Sequence, residues 1–262
     1  MSAIIIQEKI VHYEVLGRGK PIIFLHGWVG SWRYWIPAMQ AASPTYRAYA
    51  YDMWGFGETT KDEICYSLEQ QVGLLDQFMN AMGIGKVALV GHGLGALVAL
   101  MFAAKHTYLV DRVMVISMPV SGDGLLDWAG NMSQVELANR LLEQKDIGEA
   151  VRAEAAKSDH KATLCLFEEL ESVDVLDLCR RVTTASLLVQ GLKDPVNPLN
   201  NLSDNSDLSS MFHHITFEES GHFPMLEQPS KFNRLMKDFL GLPSGESPRQ
   251  LQLKDEWKRR VR

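Results

Sequence analysis

"LVGHGLGALVAL", residues 89–100, passes from an apolar segment through three closely spaced glycines into a run of small and apolar residues. A short continuous apolar segment is typical of a strand that is buried on both faces of a sheet. Gly91, Gly93 and Gly95 indicate a tight turn after that strand. The stretch therefore predicts a buried strand, a sharp turn and a closely packed helix.

The rest of the chain repeats this alternation. Strand-like segments are KIVHYEVLG (9–17), PIIFLHG (21–27), YRAYAYDMWG (46–55), RVMVISMP (112–119), ASLLVQG (185–191) and HHITFEES (213–220). Helix-like segments are WRYWIPAMQAA (32–42) behind a capping Ser31, SLEQQVGLLDQFMNAMG (67–83) and PSKFNRLMKDFLG (229–241). Alternating strands and helices form parallel β-α-β units. We therefore predict an α/β fold with a mostly parallel central sheet and helices on both faces.

The alternation stops after Pro119, because residues 121 to about 181 carry helical patterns without a convincing strand. We interpret this region as a helical cap inserted between two strands. The predicted organisation is a first core part at 1–119, the cap at 120–182, a second core part at 183–242 and a basic tail at 243–262.

Composition limits the class of protein. The chain has 262 residues, 46% of them hydrophobic, which suffices for one large core. The net charge of −6 argues against nucleic acid as a partner. Neither a signal peptide nor an apolar run long enough for a bilayer is evident, so we expect a soluble, cytoplasmic protein without integral membrane association. The sequence indicates no particular oligomeric state. The three cysteines at 65, 165 and 179 fit free thiols without a chemical role in a reducing compartment.

The tail has its own charge pattern. Between Arg249 and Arg262 the sequence holds six basic residues against two acidic ones. Leu253, Trp257 and Val261 recur at helical spacing, which fits either a terminal helix docked on the domain or a basic amphipathic helix at an anionic membrane surface.

Several motifs occur in a fixed order, each at the predicted carboxyl end of a strand. They are FLHGW (24–28), DMWGFGET (52–59), GHGLG (91–95), GLKDP (191–195) and SGHFPMLEQP (220–229). Together they resemble the α/β-hydrolase superfamily over residues 10–241, and within it the capped esterases and C–C hydrolases. The resemblance implies hydrolysis of a small, mostly apolar ester or related acyl compound, with a small molecule as the partner.

His222 and Asp194 are the expected acid–base pair. His222 follows the last strand on a loop beside glycine, where an imidazole can act as general base and acid. Asp194 follows the preceding strand, where it would hold the imidazole in the required tautomer. The resemblance places oxyanion donors at the N–H groups of Trp28 and Leu94.

Other residues are expected around the substrate. The predicted pocket neighbours are His26, Trp32, Trp54, His92, Met118 and Trp128. His26 and His92 flank glycines in tight turns, where an orienting role is favoured over a catalytic one. The resemblance implies that Asp52 ties down its own loop and that Asp123 is an alternative position for the acid.

Gly93 occupies the middle of GHGLG, where the resembling G-x-S-x-G turn has a nucleophilic serine. Three interpretations remain open. The chain is a Ser→Gly version of a working hydrolase, an enzyme that needs only the His222–Asp194 dyad for proton abstraction or for hydrolysis by a water, or a ligand-binding or interaction protein on a hydrolase scaffold. No phosphate-binding loop, dinucleotide fingerprint or H-E-x-x-H motif is present in the sequence, so no cofactor and no metal are expected.

Overall fold

The computed structural model describes residues 2–119, 121–122, 124–142, 148–196 and 210–253. Its centre is a sheet of eight strands in the order β1-β2-β4-β3-β5-β6-β7-β8. The strands are β1 Ser2–Ile6, β2 Lys9–Leu16, β3 Lys20–Leu25, β4 Tyr46–Tyr51, β5 Val87–His92, β6 Val110–Ile116, β7 Ala185–Gly191 and β8 Phe212–Phe217. β2 is antiparallel to both of its neighbours, β1 and β4, and the pairs that link β4, β3, β5, β6, β7 and β8 are all parallel. The predicted mostly parallel sheet is confirmed.

Every residue of β5 and of β7 is buried, which indicates that helices cover both faces of this sheet. The helices are α1 Ile36–Ala42, α2 Leu68–Ala81, α3 Leu94–Lys105, α4 Leu125–Ala129, α5 Gln134–Leu141, α6 Gly148–Ala155, α7 His160–Leu170, α8 Val175–Arg181, α9 Pro224–Glu227 and α10 Pro229–Leu240. α3 is apolar on nearly all sides and almost wholly buried, as expected of a helix enclosed by the core.

The helices α4 to α8 all lie between β6 and β7, in the region where the sequence predicts a cap. α5 begins at a capping box in which Ser133 and Glu136 exchange hydrogen bonds. α7 reaches the core, because the Phe167 ring packs edge-on against Trp28 at a centroid distance of 5.2 Å. The region is therefore packed onto the residues that follow β3.

The predicted strand and helix segments are present, with two additions and one local difference. The additions are the short helix α9 and β1, which pairs with β2 through a turn at Gln7 and Glu8. The difference lies at 32–42, where residues Trp32–Trp35 form a 3₁₀ turn before α1, and Ser31 accepts a hydrogen bond from the Arg33 N–H. The expected capping role of Ser31 is thus confirmed for that turn.

The start of the tail is held against the core. The Ser247 hydroxyl donates to the Ser210 carbonyl at 2.7 Å, and the Leu251 carbonyl is 2.9 Å from Nε2 of His213. The predicted amphipathic helix through Trp257 and Val261 lies outside the described residues. No helix in the described part of the chain is both long and apolar enough to cross a bilayer.

Candidate active site

Six loops meet at one edge of the sheet, because β3 to β8 are parallel and their carboxyl ends point the same way. The first residues of interest after these strands are His26, Asp52, Gly93, Ser117, Asp194 and His222. In open α/β sheets this is the edge at which ligands bind.

The turn between β5 and α3 has the geometry of a sharp strand-to-helix elbow. Gly93 caps α3 with φ 51° and ψ −113°, a conformation that strains any residue with a side chain. Its N–H donates to the Ile116 carbonyl at 2.9 Å, and its own carbonyl accepts from Ala96 at 3.2 Å. The elbow is therefore fixed by backbone hydrogen bonds on both sides of residue 93.

The flanking glycines of the elbow serve close packing. A Cβ on Gly91 would lie 2.2 Å from the Gly95 carbonyl oxygen, and one on Gly95 would lie 2.4 Å from that of Leu25. At Gly93 the nearest atoms to an added Cβ are ring carbons of Trp28, at 3.4 Å and 3.5 Å. The space beside residue 93 thus admits a small side chain without any movement of the backbone.

His222 and Asp194 form a buried pair. Nδ1 of His222 lies 3.0 Å and 2.9 Å from the two carboxylate oxygens of Asp194. The two residues are 1% and 5% exposed. Because a carboxylate only accepts, Nδ1 carries the proton and Nε2 is the basic nitrogen of the neutral ring.

The charge of Asp194 is favoured by this arrangement. Burial would raise its pKa, but electrostatic attraction to the His222 imidazole and the hydrogen bond from its Nδ1 hold the pKa of Asp194 below the ordinary value. The Val196 N–H also donates to the carboxylate at 3.0 Å. The pair has the components of a general base held by a carboxylate.

Two backbone donors face the same edge. The N–H groups of Trp28 and Leu94 make none of the hydrogen bonds found in the described part of the chain. Leu94 is the first residue of α3, where N–H groups have no partner within the helix. Their role as donors to an anionic oxygen stays a prediction.

His92 connects three of the loops. Its Nε2 donates to the His222 carbonyl at 2.8 Å, so in the neutral ring Nδ1 accepts from the Tyr34 hydroxyl at 3.0 Å. The same hydroxyl accepts a short hydrogen bond from the Gly27 N–H. Burial, followed by the neighbouring His222, lowers the pKa of His92 well below its ordinary value. His92 is thus a neutral residue that orients the loops.

Both ring nitrogens of His26 form hydrogen bonds with backbone groups. Nε2 accepts from the Met53 N–H at 3.0 Å, and Nδ1 donates to the Gly27 carbonyl at 2.8 Å. Burial lowers the pKa of His26 to about 4. The expectation that His26 and His92 orient rather than catalyse agrees with these contacts.

Asp52 ties down its own loop, as expected. Its two carboxylate oxygens accept from the N–H groups of Trp32 at 2.9 Å and Glu58 at 3.0 Å. Burial raises its pKa to about 7. The alternative acid, Asp123, lies outside the described residues.

The remaining predicted pocket residues differ in position. Trp32, Trp54 and Met118 are buried, whereas Trp128 on α4 is half-buried with the Arg140 guanidinium 5.5 Å over its ring. Their contact with substrate stays a prediction.

Sequence reasoning did not find Tyr34 or Ser117. Tyr34 acts through contacts between residues far apart in the chain, for which the sequence carries no local signal. Ser117, directly after β6, has φ 47° although it is not glycine, and its buried hydroxyl has no hydrogen-bond partner among the described residues. Such strain is concentrated at functional sites.

Comparison with known proteins identifies the family. The family model described as alpha/beta hydrolase fold matches residues 20–159, which is more than half of the chain. The chain belongs to the α/β-hydrolase family. A curated relative, 2-hydroxy-6-oxo-6-(2'-aminophenyl)hexa-2,4-dienoic acid hydrolase from Metapseudomonas resinovorans, is 25% identical over 87% of this chain and 86% of its own length.

Solved α/β-hydrolase structures agree in fold. A meta-cleavage product hydrolase from Pseudomonas fluorescens IP01 has a TM-score of 0.79 at 24% identity, covering 92% of this chain and 97% of its own. An esterase from Exiguobacterium antarcticum has a TM-score of 0.80 at 17% identity, covering 89% and 96%. The chain is thus similar in fold to an esterase and to a meta-cleavage product hydrolase. Within the described residues, no cluster of histidine, cysteine and acidic side chains has the arrangement of a metal site.

Proposed function

We propose that this chain carries the site of a hydrolase for small, mostly apolar esters or related acyl compounds, in which Gly93 stands at the nucleophile position. The observation that supports this most is the buried hydrogen-bonded pair of His222 and Asp194 beside the elbow. In this proposal His222 is general base and acid, Asp194 orients it, and the N–H groups of Trp28 and Leu94 stabilise the oxyanion.

Substrate would lie between the helices α4 to α8 and the carboxyl edge of the sheet. The edge-on packing of Trp28 and Phe167 gives this region an aromatic wall, which suits an apolar acyl or ring-containing substrate. One similar protein is named as an esterase and another as a hydrolase of 2-hydroxy-6-oxo-6-(2'-aminophenyl)hexa-2,4-dienoic acid. Hydrolysis of an ester or of such an oxo acid needs a base and an oxyanion site.

Without a side-chain nucleophile at residue 93, no acyl-enzyme can form there. Loss of the serine from a serine protease lowers turnover by about 10⁶-fold. The rate enhancement that remains, about 10³–10⁴-fold over the reaction in water, comes from binding and oxyanion contacts. We therefore expect this chain to hydrolyse esters feebly, through water that His222 deprotonates.

The test compares the native chain with Gly93→Ser and Gly93→Ala on short p-nitrophenyl esters. Serine adds the missing hydroxyl, and alanine is the matched control because it adds the Cβ and the backbone strain without the hydroxyl. We expect Gly93→Ser to raise kcat by at least about 10³-fold and Gly93→Ala to leave it unchanged. No gain with serine overturns the proposal.

A second function, ligand binding without turnover, is favoured by Gly93 itself, because glycine relieves the strain of the elbow and removes the chemistry. His222→Ala separates the two. Residual hydrolysis by the native chain that His222→Ala abolishes identifies a water-dependent enzyme. If the native chain and His222→Ala hydrolyse esters at the same background rate and both still bind an apolar ester, the chain is a binding protein.

A further inference from the structure

A concave site lies at the edge of the sheet opposite His222 and Asp194, where the parallel strands begin. This cavity has a volume of about 320 Å³. Its lining includes Lys20, Tyr46 and Val87, the first residues of β3, β4 and β5. Because the parallel strands all point away from this edge, the cavity is remote from His222 and Asp194.

The lining of the cavity carries an excess of positive charge. Asp111 is the one acidic residue among the described residues of the lining. Its Oδ2 lies 2.7 Å from Nε of Arg112, and its Oδ1 lies 3.4 Å from Nζ of Lys86. Lys20 makes no ion pair within the described ranges of the chain. Three cations against one carboxylate give a local charge of +2, in a protein whose net charge is −6.

Arg112 and Asp111 are fixed parts of the wall. Arg112 is 3% exposed, and its Nη1 also donates to the Phe239 carbonyl at 2.6 Å. Asp111 accepts from the Ser244 hydroxyl as well as from Arg112. Burial would raise the pKa of Asp111, but these hydrogen bonds hold it below the ordinary value. The Asp111 carboxylate therefore already accepts hydrogen bonds from Arg112 and Ser244.

The two lysines are the groups left for a ligand. The side chain of Lys86 is 54% exposed, and its contacts with Asp111 at 3.4 Å and with the Ser244 hydroxyl at 3.5 Å are both long. Exposed pairs of this kind contribute about 0–1 kcal/mol, so Lys86 can turn towards another anion at little cost. Lys20 is exposed and borders the same cavity.

Apart from Tyr46 and Ser244, the rest of the described lining is apolar. Pro21, Val87, Ala88 and Leu240 line the cavity between the charged groups. Small-molecule sites combine such walls with a few polar groups, and they begin at about 300 Å³. The cavity thus matches a ligand that has one anionic group and a compact apolar body.

We propose that this cavity binds a monocarboxylate with a small apolar body, an aryl or short alkyl acid, whose carboxylate is held by Lys20 and Lys86. The site is separate from the carboxyl edge of the sheet and does not depend on the proposed hydrolase function. It admits one molecule per chain, with the apolar body against Ala88 and Leu240.

The test uses benzoate as the probe and benzyl alcohol as its neutral counterpart, with binding followed by amide chemical shifts of the full chain. The variants are Lys20→Gln, Lys86→Gln and their combination, and Lys161→Gln is the control because that lysine is on α7, beyond the other edge of the sheet. We expect benzoate to shift amides around Lys20, Val87 and Asp111. The double variant should bind benzoate about tenfold more weakly or worse, and Lys161→Gln should bind it as the native chain does.

Four results would overturn the proposal. Benzoate shifts confined to amides around Gly93 and His222 would place the ligand at the other edge. Equal affinity for benzyl alcohol would show that the lysines do not recognise charge. Unchanged benzoate affinity in the double variant, or no binding of benzoate at about 10 mM, would exclude a carboxylate site.

Discussion

The hydroxyl of Tyr34 lies 3.0 Å from Nδ1 of His92 and links two segments that are 58 residues apart. The hydroxyl also accepts from the Gly27 N–H, and His92 continues the chain to the His222 carbonyl. One buried tyrosine therefore sets the position of the loop before Trp28 relative to the loop that carries His222.

Tyr34→Phe is expected to lower the free energy of unfolding by about 2–4 kcal/mol, because it leaves the Gly27 N–H and His92 Nδ1 buried without a partner. Urea unfolding measures the change. Tyr108→Phe is the control, since Tyr108 is 92% exposed and its hydroxyl is in water. A loss below about 0.5 kcal/mol for Tyr34→Phe, the size expected of an ordinary surface change, would contradict the role of this link.

Acid should destabilise the fold through His26. The folded pKa is about 4, whereas the unfolded value is about 6.5. Between these values the unfolded chain binds a proton that the folded chain does not, so stability is full above about pH 6.5 and falls as the pH drops towards 4. The shift corresponds to about 3 kcal/mol.

His26→Gln should flatten that slope, because the amide can accept from Met53 and donate to Gly27 without titrating. Urea unfolding at about pH 7.5 and pH 4.5 gives the comparison. His213→Gln, at a half-buried histidine that bonds to the Leu251 carbonyl, is the control. An equally steep loss of stability in His26→Gln would assign the acid sensitivity to other groups.

The Asp194 carboxylate should matter for turnover more than for substrate affinity. In the Gly93→Ser background, Asp194→Asn is expected to lower kcat by about 10⁴-fold, because the amide no longer selects the tautomer with a basic Nε2. KM should stay within about a factor of three, since Asp194 holds His222 and not the substrate. Asp177→Asn, which removes a carboxylate paired with Arg181 on α8, should change neither value.

Alanine should have different effects at the three glycines of the elbow. Gly91→Ala and Gly95→Ala place a Cβ within 2.4 Å of backbone oxygens, so we expect little folded protein from either. Gly93→Ala meets only ordinary contacts and should cost about 1–3 kcal/mol, from backbone strain alone. Thermal unfolding and soluble yield of the three variants measure this order, and comparable losses at all three positions would contradict it.

Most of the sheet was predictable because its strands are short apolar runs followed by glycine turns. β1 was not, since its hairpin turns through Gln7 and Glu8 at φ 51° and 62°, without the Asn-Gly or Asp-Gly signal of such turns. Its pairing with β2 depends on the register between the two strands, which the five residues of β1 do not encode locally.

The candidate site divides in the same way. His222, Asp194 and the glycines of GHGLG follow directly from motifs at strand ends, because parallel strands bring their carboxyl ends together. Tyr34 and the strained Ser117 depend on contacts across the fold and on a backbone angle. Neither property leaves a pattern in neighbouring residues.

The open space beside Gly93 has an evolutionary consequence. A serine there would meet ordinary contacts, yet its backbone would be strained, so selection for folding alone favours glycine. Serine persists at such a turn only as long as its hydroxyl is used. Glycine and serine codons can differ by a single nucleotide, so lineages can lose and regain the hydroxyl while the surrounding loops stay intact. The residue at position 93 in different genomes is then a record of when this chemistry was under selection.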